Sequence, residues 1–201
     1  MRRSLRRVKV SCSCQLELAI SGSQFQLVGF FTSIFHIFRL KPENQPRARA
    51  ARERESVRAA VPADVPRLLS LERGSATIAH WSEDEYRRLF ENSTPERIVL
   101  VVDIDGRIQG FLVARIVNTE CELENIVVEQ SARRKQLGTR LLVELIERAK
   151  ARGVEPIFLE VRASNYAARS FYEAHGFQQS GLRKRYYVAP VEDAVVYRLK
   201  T

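Results

Sequence analysis

Cysteine and histidine are scarce in this chain, and neither is arranged for the chemistry it usually carries. Cys12, Cys14 and Cys121 are the three cysteines in 201 residues, too few for the disulfide framework of a small secreted fold. Cys12-x-Cys14 lacks a second pair at zinc-ligand spacing, and Cys121 falls on an expected strand as a small buried or half-buried residue. A reducing cytoplasm fits this usage. His36, His80 and His175 have no helical or strand spacing that would bring two together, so no metal centre is expected.

A broad positive surface is lacking where it would matter. The formal net charge of +9 and pI near 9.9 first suggest nucleic acid. Residues 1–55, however, hold 11 Lys and Arg against 4 Asp and Glu, while residues 56–201 hold 22 against 20. The nearly neutral second part offers no basic face for a phosphate backbone, so no direct nucleic-acid partner is expected. An uninterrupted membrane span is missing too. Leu16 to Phe38 is long enough at about 20 residues, but it carries Glu17, Gln24, Gln26, His36 and several serines. No small-x-small cleavage site follows it, and Lys41 to Glu55 reads as a charged linker. The expectation is a poorly ordered, basic and partly apolar extension over 1–55, without a membrane role, and one domain over 56–201.

In that domain, 56–61 suits a strand and Asp64-Val65-Pro66 a helix start with proline in its first turn. Ser82-Glu83-Asp84-Glu85 is a capping box opening a short helix through Phe90. Strands over 97–104 and 107–117 meet at Asp105-Gly106, a strong hairpin signal, and 120–128 is a further strand. The helix before Gly153 places Leu141, Leu142, Leu145, Ile146 and Ala149 on one face. A strand over 156–161, a helix from Asn165 to His175 closed by Gly176, and strands over 186–188 and 195–199 complete the pattern. The order predicts an α+β fold: one mixed, mostly antiparallel sheet flanked by helices, an α/β/α sandwich.

The densest information lies between Ile126 and Tyr172. Ile126-Val127-Val128 leads into Arg133-Arg134-Lys135-Gln136-Leu137-Gly138-Thr139, which opens a helix. A helix N-terminus offers unpaired N–H groups and a positive dipole end, so a basic turn there suits a pyrophosphate. The run Leu159-Glu160-Val161-Arg162-Ala163-Ser164-Asn165 follows, with Tyr172-Glu173 and Gly176-Phe177 beyond it. Glu160 ends an otherwise apolar strand, which calls for a partner or a purpose; an ion pair to Arg162 or Arg185 is the purely structural explanation.

Together these residues resemble the GNAT acetyltransferase superfamily, whose signature is Gln/Arg-x-x-Gly-x-Gly/Ala, and within it the ribosomal-protein alanine N-acetyltransferases. The resemblance covers roughly Ser56 to Leu199. It implies acetyl-CoA as donor, held by the backbone of Ile126, Val127 and Val128, by the turn Arg133, Arg134, Lys135, Gln136, Leu137, Gly138 and Thr139, and by Asn165. It implies Glu160 as general base, through a water, and Tyr172 as the acid that protonates the departing thiolate. The implied partner is the N-terminal segment of a ribosomal protein. Gln136 replaces the first signature glycine, and its Cβ is expected to weaken cofactor binding. Gly181 to Tyr187 resembles the family segment near the acceptor groove. No cysteine occupies a motif position suited to an acyl-enzyme. Two other readings use the same scaffold: acetylation of a small-molecule amine, or a non-catalytic acyl-CoA-binding module.

Overall fold

The computed structural model describes residues 55–75, 81–91 and 95–200. The expected extension over 1–55 lies outside the described residues except for Glu55, which opens the first strand. In chain order the elements are β1 (Glu55–Ala59), α1 (Val65–Arg73), α2 (Glu83–Arg88), β2 (Glu96–Ile104), β3 (Arg107–Val117), β4 (Glu120–Val128), α3 (Leu137–Ala151), β5 (Ile157–Arg162), α4 (Tyr166–Ala174), β6 (Gln178–Val188) and β7 (Val191–Leu199). They form one seven-stranded sheet in the order β1-β2-β3-β4-β5-β7-β6. The β4/β5 pair is parallel and every other neighbouring pair is antiparallel.

Both faces of the central strands are covered, which is why β2 reads as a nearly unbroken apolar run. Ile98, Leu100 and Val102 point to one core, shared with Leu141, Leu142 and Leu145 of α3 and with Phe171 and Tyr172 of α4. Val99 and Val101 point the other way, against Leu68, Leu71 and Tyr86 of α1 and α2. The helix pairs therefore lie on opposite faces of the sheet. The buried stripe of α3 matches the 3.6-residue period of its leucines, and each fully buried leucine contributes about 1.5–3 kcal/mol of transfer free energy.

The local signals hold where short-range chemistry decides. Asp105 and Gly106 both take positive φ, 52° and 81°, as a two-residue hairpin requires. Ser82 Oγ accepts from Glu85 N while Glu85 Oε2 accepts from Ser82 N, closing the capping box. Asp64 stands as expected at the start of α1, with proline in the first turn, but its carboxylate makes no cap hydrogen bond to that helix; it accepts from Arg58, a charged partner on β1, at 2.8 Å and from Val61 N at 2.9 Å. β6 is longer than the sequence suggests, starting at Gln178 rather than Tyr186. Its polar first half is an exposed edge strand without a buried face to create an alternating pattern, and its pairing comes from β7.

Candidate active site

The parallel ladder between β4 and β5 covers Cys121–Leu123 against Ile157–Leu159 and then stops, although both strands run on. The cause lies in β4. Opposite β3, Val113 pairs with Asn125 and Ala114 with Leu123, so Glu124 is an inserted residue, and such a bulge bends its strand. Beyond it Ile126, Val127 and Val128 keep their partners Leu112, Phe111 and Gly110 on β3, while the side toward β5 has no strand partner. The sheet thus splays into a wedge edged by the backbone of the three residues singled out from sequence. Gly110 permits this packing, since a Cβ there would lie 2.8 Å from Val127 O.

At the wide end of the wedge, the chain passes through a short 3-10 turn (Gln130–Ala132) into α3. Arg133 Nε donates to Val128 O at 3.4 Å, and Arg134, Lys135 and Gln136 are exposed. Gln136 sits at φ 62°, ψ 12°, the left-handed conformation that favours glycine, and its carbonyl accepts from Arg140 N at 3.0 Å to start α3. The position of the first signature glycine is therefore held by a glutamine in a conformation that favours glycine. Gly138 is less constrained, because an added Cβ would make ordinary contacts at 3.6 Å with Phe171 and 3.8 Å with Val128. Thr139 faces His175 Nε2 at 3.2 Å, while His175 Nδ1 donates to Phe171 O at 2.7 Å. These bonds tie the first turn of α3 to the end of α4.

Glu160 is 8% exposed and lines a cavity of about 390 Å³ with Arg115, Glu122, Phe158, Arg183 and Tyr186. Its ion-pair partner is neither Arg162 nor Arg185. Arg183 Nε lies 2.9 Å from Glu160 Oε1, whereas Arg162 binds Glu192 at 2.9 Å and Arg185 N donates to Asp193. The Tyr186 hydroxyl also hydrogen-bonds Glu160; burial, then that carboxylate, push the phenol's pKa above its ordinary value. Arg183 and Tyr186 are three residues apart and would point to opposite faces of a regular strand. The β6 register jumps from Arg183↔Ala194 to Tyr187↔Glu192, with Arg185 at φ 49°, and this bulge turns both side chains to the Glu160 face.

Tyr172 is fully buried, its ring tilted against Phe171, Phe177 and Tyr197. Tyr197 pairs with Leu159, one residue before Glu160, so Tyr172 and Glu160 emerge on opposite faces of the sheet. The wedge lies between those faces. Asn165 spends its side-chain oxygen capping α4, accepting from Ala168 N at 3.1 Å.

The Glu160 face also carries acids that sequence reasoning missed. Glu124 is 2% exposed, 3.3 Å from Arg97 and 3.5 Å from Arg115, and burial outweighs these arginines to raise its pKa. Glu72 on α1 is equally buried, accepting from Trp81 N at 3.1 Å and from Asn125 Nδ2 at 3.2 Å. Burial pushes its pKa up to about 7, with Tyr86, Trp81 and Asn125 pulling it back. An acid within an amphipathic helix gives no sign from sequence that it will face inward.

Residues 65–177 match the model of the acetyltransferase (GNAT) family. The [ribosomal protein bS18]-alanine N-acetyltransferase of Salmonella typhimurium is 35% identical over 138 residues, covering 68% of this chain and 90% of that protein. Its Escherichia coli counterpart is 34% identical over 139 residues, again covering 68% and 90%. The crystal structure of the E. coli ribosomal-protein-S18-alanine N-acetyltransferase superposes with a TM-score of 0.67 at 30% identity, over 73% of this chain and 93% of that one. A Salmonella typhimurium acetyltransferase structure with its cofactor acetyl-CoA shares the fold at 19% identity and a TM-score of 0.62, over 73% of this chain and 93% of that one. With the family model spanning more than half its length, the chain belongs to the GNAT acetyltransferase family and is an acyltransferase.

Proposed function

We propose that this acetyltransferase moves the acetyl group of acetyl-CoA to the N-terminal α-amine of a protein, an N-terminal alanine of a ribosomal protein in the cytoplasm. The observation that carries the reading is the wedge between β4 and β5, with a buried carboxylate on one face and a buried phenol on the other. The names and identities of the Salmonella and E. coli relatives support the acceptor. The residues present fit the donor: the β5-facing backbone edge over Ile126 to Val128, which has no strand partner, suits pantetheine and the thioester oxygen, and the basic turn with the N-terminus of α3 suits a pyrophosphate. Arg133, Arg134, Lys135, Gln136, Leu137, Gly138 and Thr139 form that cradle, and Asn165 contributes at the pantetheine end.

In this mechanism Glu160, through a water, takes a proton from the amine, whose ordinary pKa is near 8. The nitrogen attacks the thioester carbon, the C–S bond breaks, Tyr172 protonates the departing thiolate, and the second proton shed by the nitrogen passes through solvent to restore the Tyr172 hydroxyl. Acetyl-CoA turnover on alanine-led peptides, on the same peptides with a blocked terminus and an internal lysine, and on free small amines tests the assignment. Alanine-led peptides are expected to react fastest. Faster reaction of the blocked peptide or a small amine would overturn the N-terminal acceptor, and no turnover with any amine would favour a binding module.

A further inference from the structure

The carboxylate that the proposed mechanism needs as a base is closed in this structure. Arg183 Nε stands 2.9 Å from Glu160 Oε1, and Tyr186 hydrogen-bonds the same carboxylate. The two partners of the ion pair are unequal. The Arg183 side chain is 41% exposed and that of Glu160 only 9%. Arg183 can therefore return its guanidinium to water at little cost, whereas Glu160 left unpaired would be a buried, uncompensated charge. The other charges around the cavity do not relieve it. Arg115 binds Glu122 at 2.6 Å and approaches Glu124 at 3.5 Å. In the same conformation the Arg183 guanidinium lies 5.6 Å from the Tyr186 ring, a cation–π contact made alongside the ion pair. The contact is built by the β6 bulge, since a regular strand would send Arg183 and Tyr186 to opposite faces.

We propose that Arg183 is a displaceable latch on Glu160, opened by an acceptor whose amine arrives as an ammonium ion and replaces the guanidinium charge for charge. The inference rests on the reading of Glu160 as the base. It makes Arg183 a specificity-determining residue: a neutral nucleophile at the same place leaves the pair closed, and a cation at the chain terminus opens it. Once exchanged, an N–H bond of the ammonium breaks and the proton passes through the water to Glu160, whose O–H bond forms. The amine is thus freed for attack with Arg183 in solvent.

The test compares the wild type, Arg183→Gln and Arg183→Lys at saturating acetyl-CoA, with alaninamide and an alanine-led peptide as acceptors. A pair closed about nine-tenths of the time raises the apparent acceptor constant about tenfold. Arg183→Gln is therefore expected to lower the KM of both acceptors by about tenfold, while the KM for acetyl-CoA shifts less than about twofold. Arg183→Lys, which keeps a cation able to pair, is expected to stay near the wild-type value. An unchanged or raised acceptor KM in the Gln variant, or a Lys variant that behaves like it, would overturn the latch. Melting temperatures check that both variants fold, as the exposure of the side chain leads us to expect. Alaninamide carries the α-ammonium without a peptide, so wild-type turnover of alaninamide but not of the peptide would count against the protein acceptor alone.

Discussion

Glu160→Gln separates catalysis from folding more cleanly than any other change at the site. The amide keeps the shape of the side chain and retains an oxygen to accept from Arg183 or Tyr186, so packing in the cavity wall is preserved. What is lost is the charge. Arg183 is 41% exposed, so the ion pair is screened by water, and removing it is expected to move stability by no more than about 1 kcal/mol, or roughly 2–4 °C in melting temperature for a chain of this size. The rate is a different matter: a positioned general base is worth on the order of 10²–10⁴-fold. At pH 7 only about a tenth of an α-amine with pKa near 8 is unprotonated, and at pH 9 about nine-tenths is. The variant should therefore lose at least about a hundredfold in kcat at pH 7, keep its acetyl-CoA affinity, and recover by about tenfold toward pH 9. Initial rates of CoA release across that pH range, beside calorimetry with acetyl-CoA, measure both halves. A Gln variant that keeps more than about a third of wild-type turnover at pH 7 would remove Glu160 from the mechanism.

Tyr172→Phe removes one hydroxyl from a ring held by Phe171, Phe177 and Tyr197, so kcat should fall about tenfold or more with the acetyl-CoA constant unmoved; a lowered melting temperature with full activity in the folded fraction would make the hydroxyl structural. Gln136→Gly removes a Cβ from a left-handed position and should tighten acetyl-CoA by up to about tenfold in titration calorimetry; equal or weaker binding would mean that the turn has adapted to glutamine. Glu72→Gln should flatten the pH dependence of stability. A buried acid raised from its ordinary 4.5 to about 7 holds its proton in the folded state alone across that window, so its stabilising contribution is present below about 4.5 and is lost as pH rises through about 7. Melting curves from pH 5 to 8 should therefore slope downward in the wild type by on the order of 3 kcal/mol more than in the variant; equal slopes would refute the buried-acid assignment.

The parts of the fold visible in sequence are those fixed by neighbours along the chain. The Asp105-Gly106 hairpin, the Ser82–Glu85 capping box and the α3 stripe each need only a few consecutive residues to declare themselves. Glu160 was visible for a similar reason, as an acid among Leu159 and Val161. What stayed hidden depends on contacts remote in sequence. Glu72 meets Asn125 across 53 positions, and neither residue marks the other. The first half of β6 was missed because an exposed edge strand has no buried face to write into its sequence.

Two insertions explain why the site was harder to read than the sheet. Glu124 in β4 and the 183–187 stretch in β6 each break the two-residue alternation that strand patterns rely on. The first bends β4 from β5 and opens the wedge; the second turns Arg183 and Tyr186 onto one carboxylate. Ordinary alternation would have sent one of those two side chains away, leaving Arg162 or Arg185 as the natural guesses for the partner of Glu160. Gln136 teaches the converse. By residue type it is a loss of the signature glycine, yet its φ of 62° lies in the left-handed region that glycine favours, and Leu137 beside it is buried at the start of α3. The left-handed backbone of this turn is thus legible in the structure and not in the type of residue that adopts it.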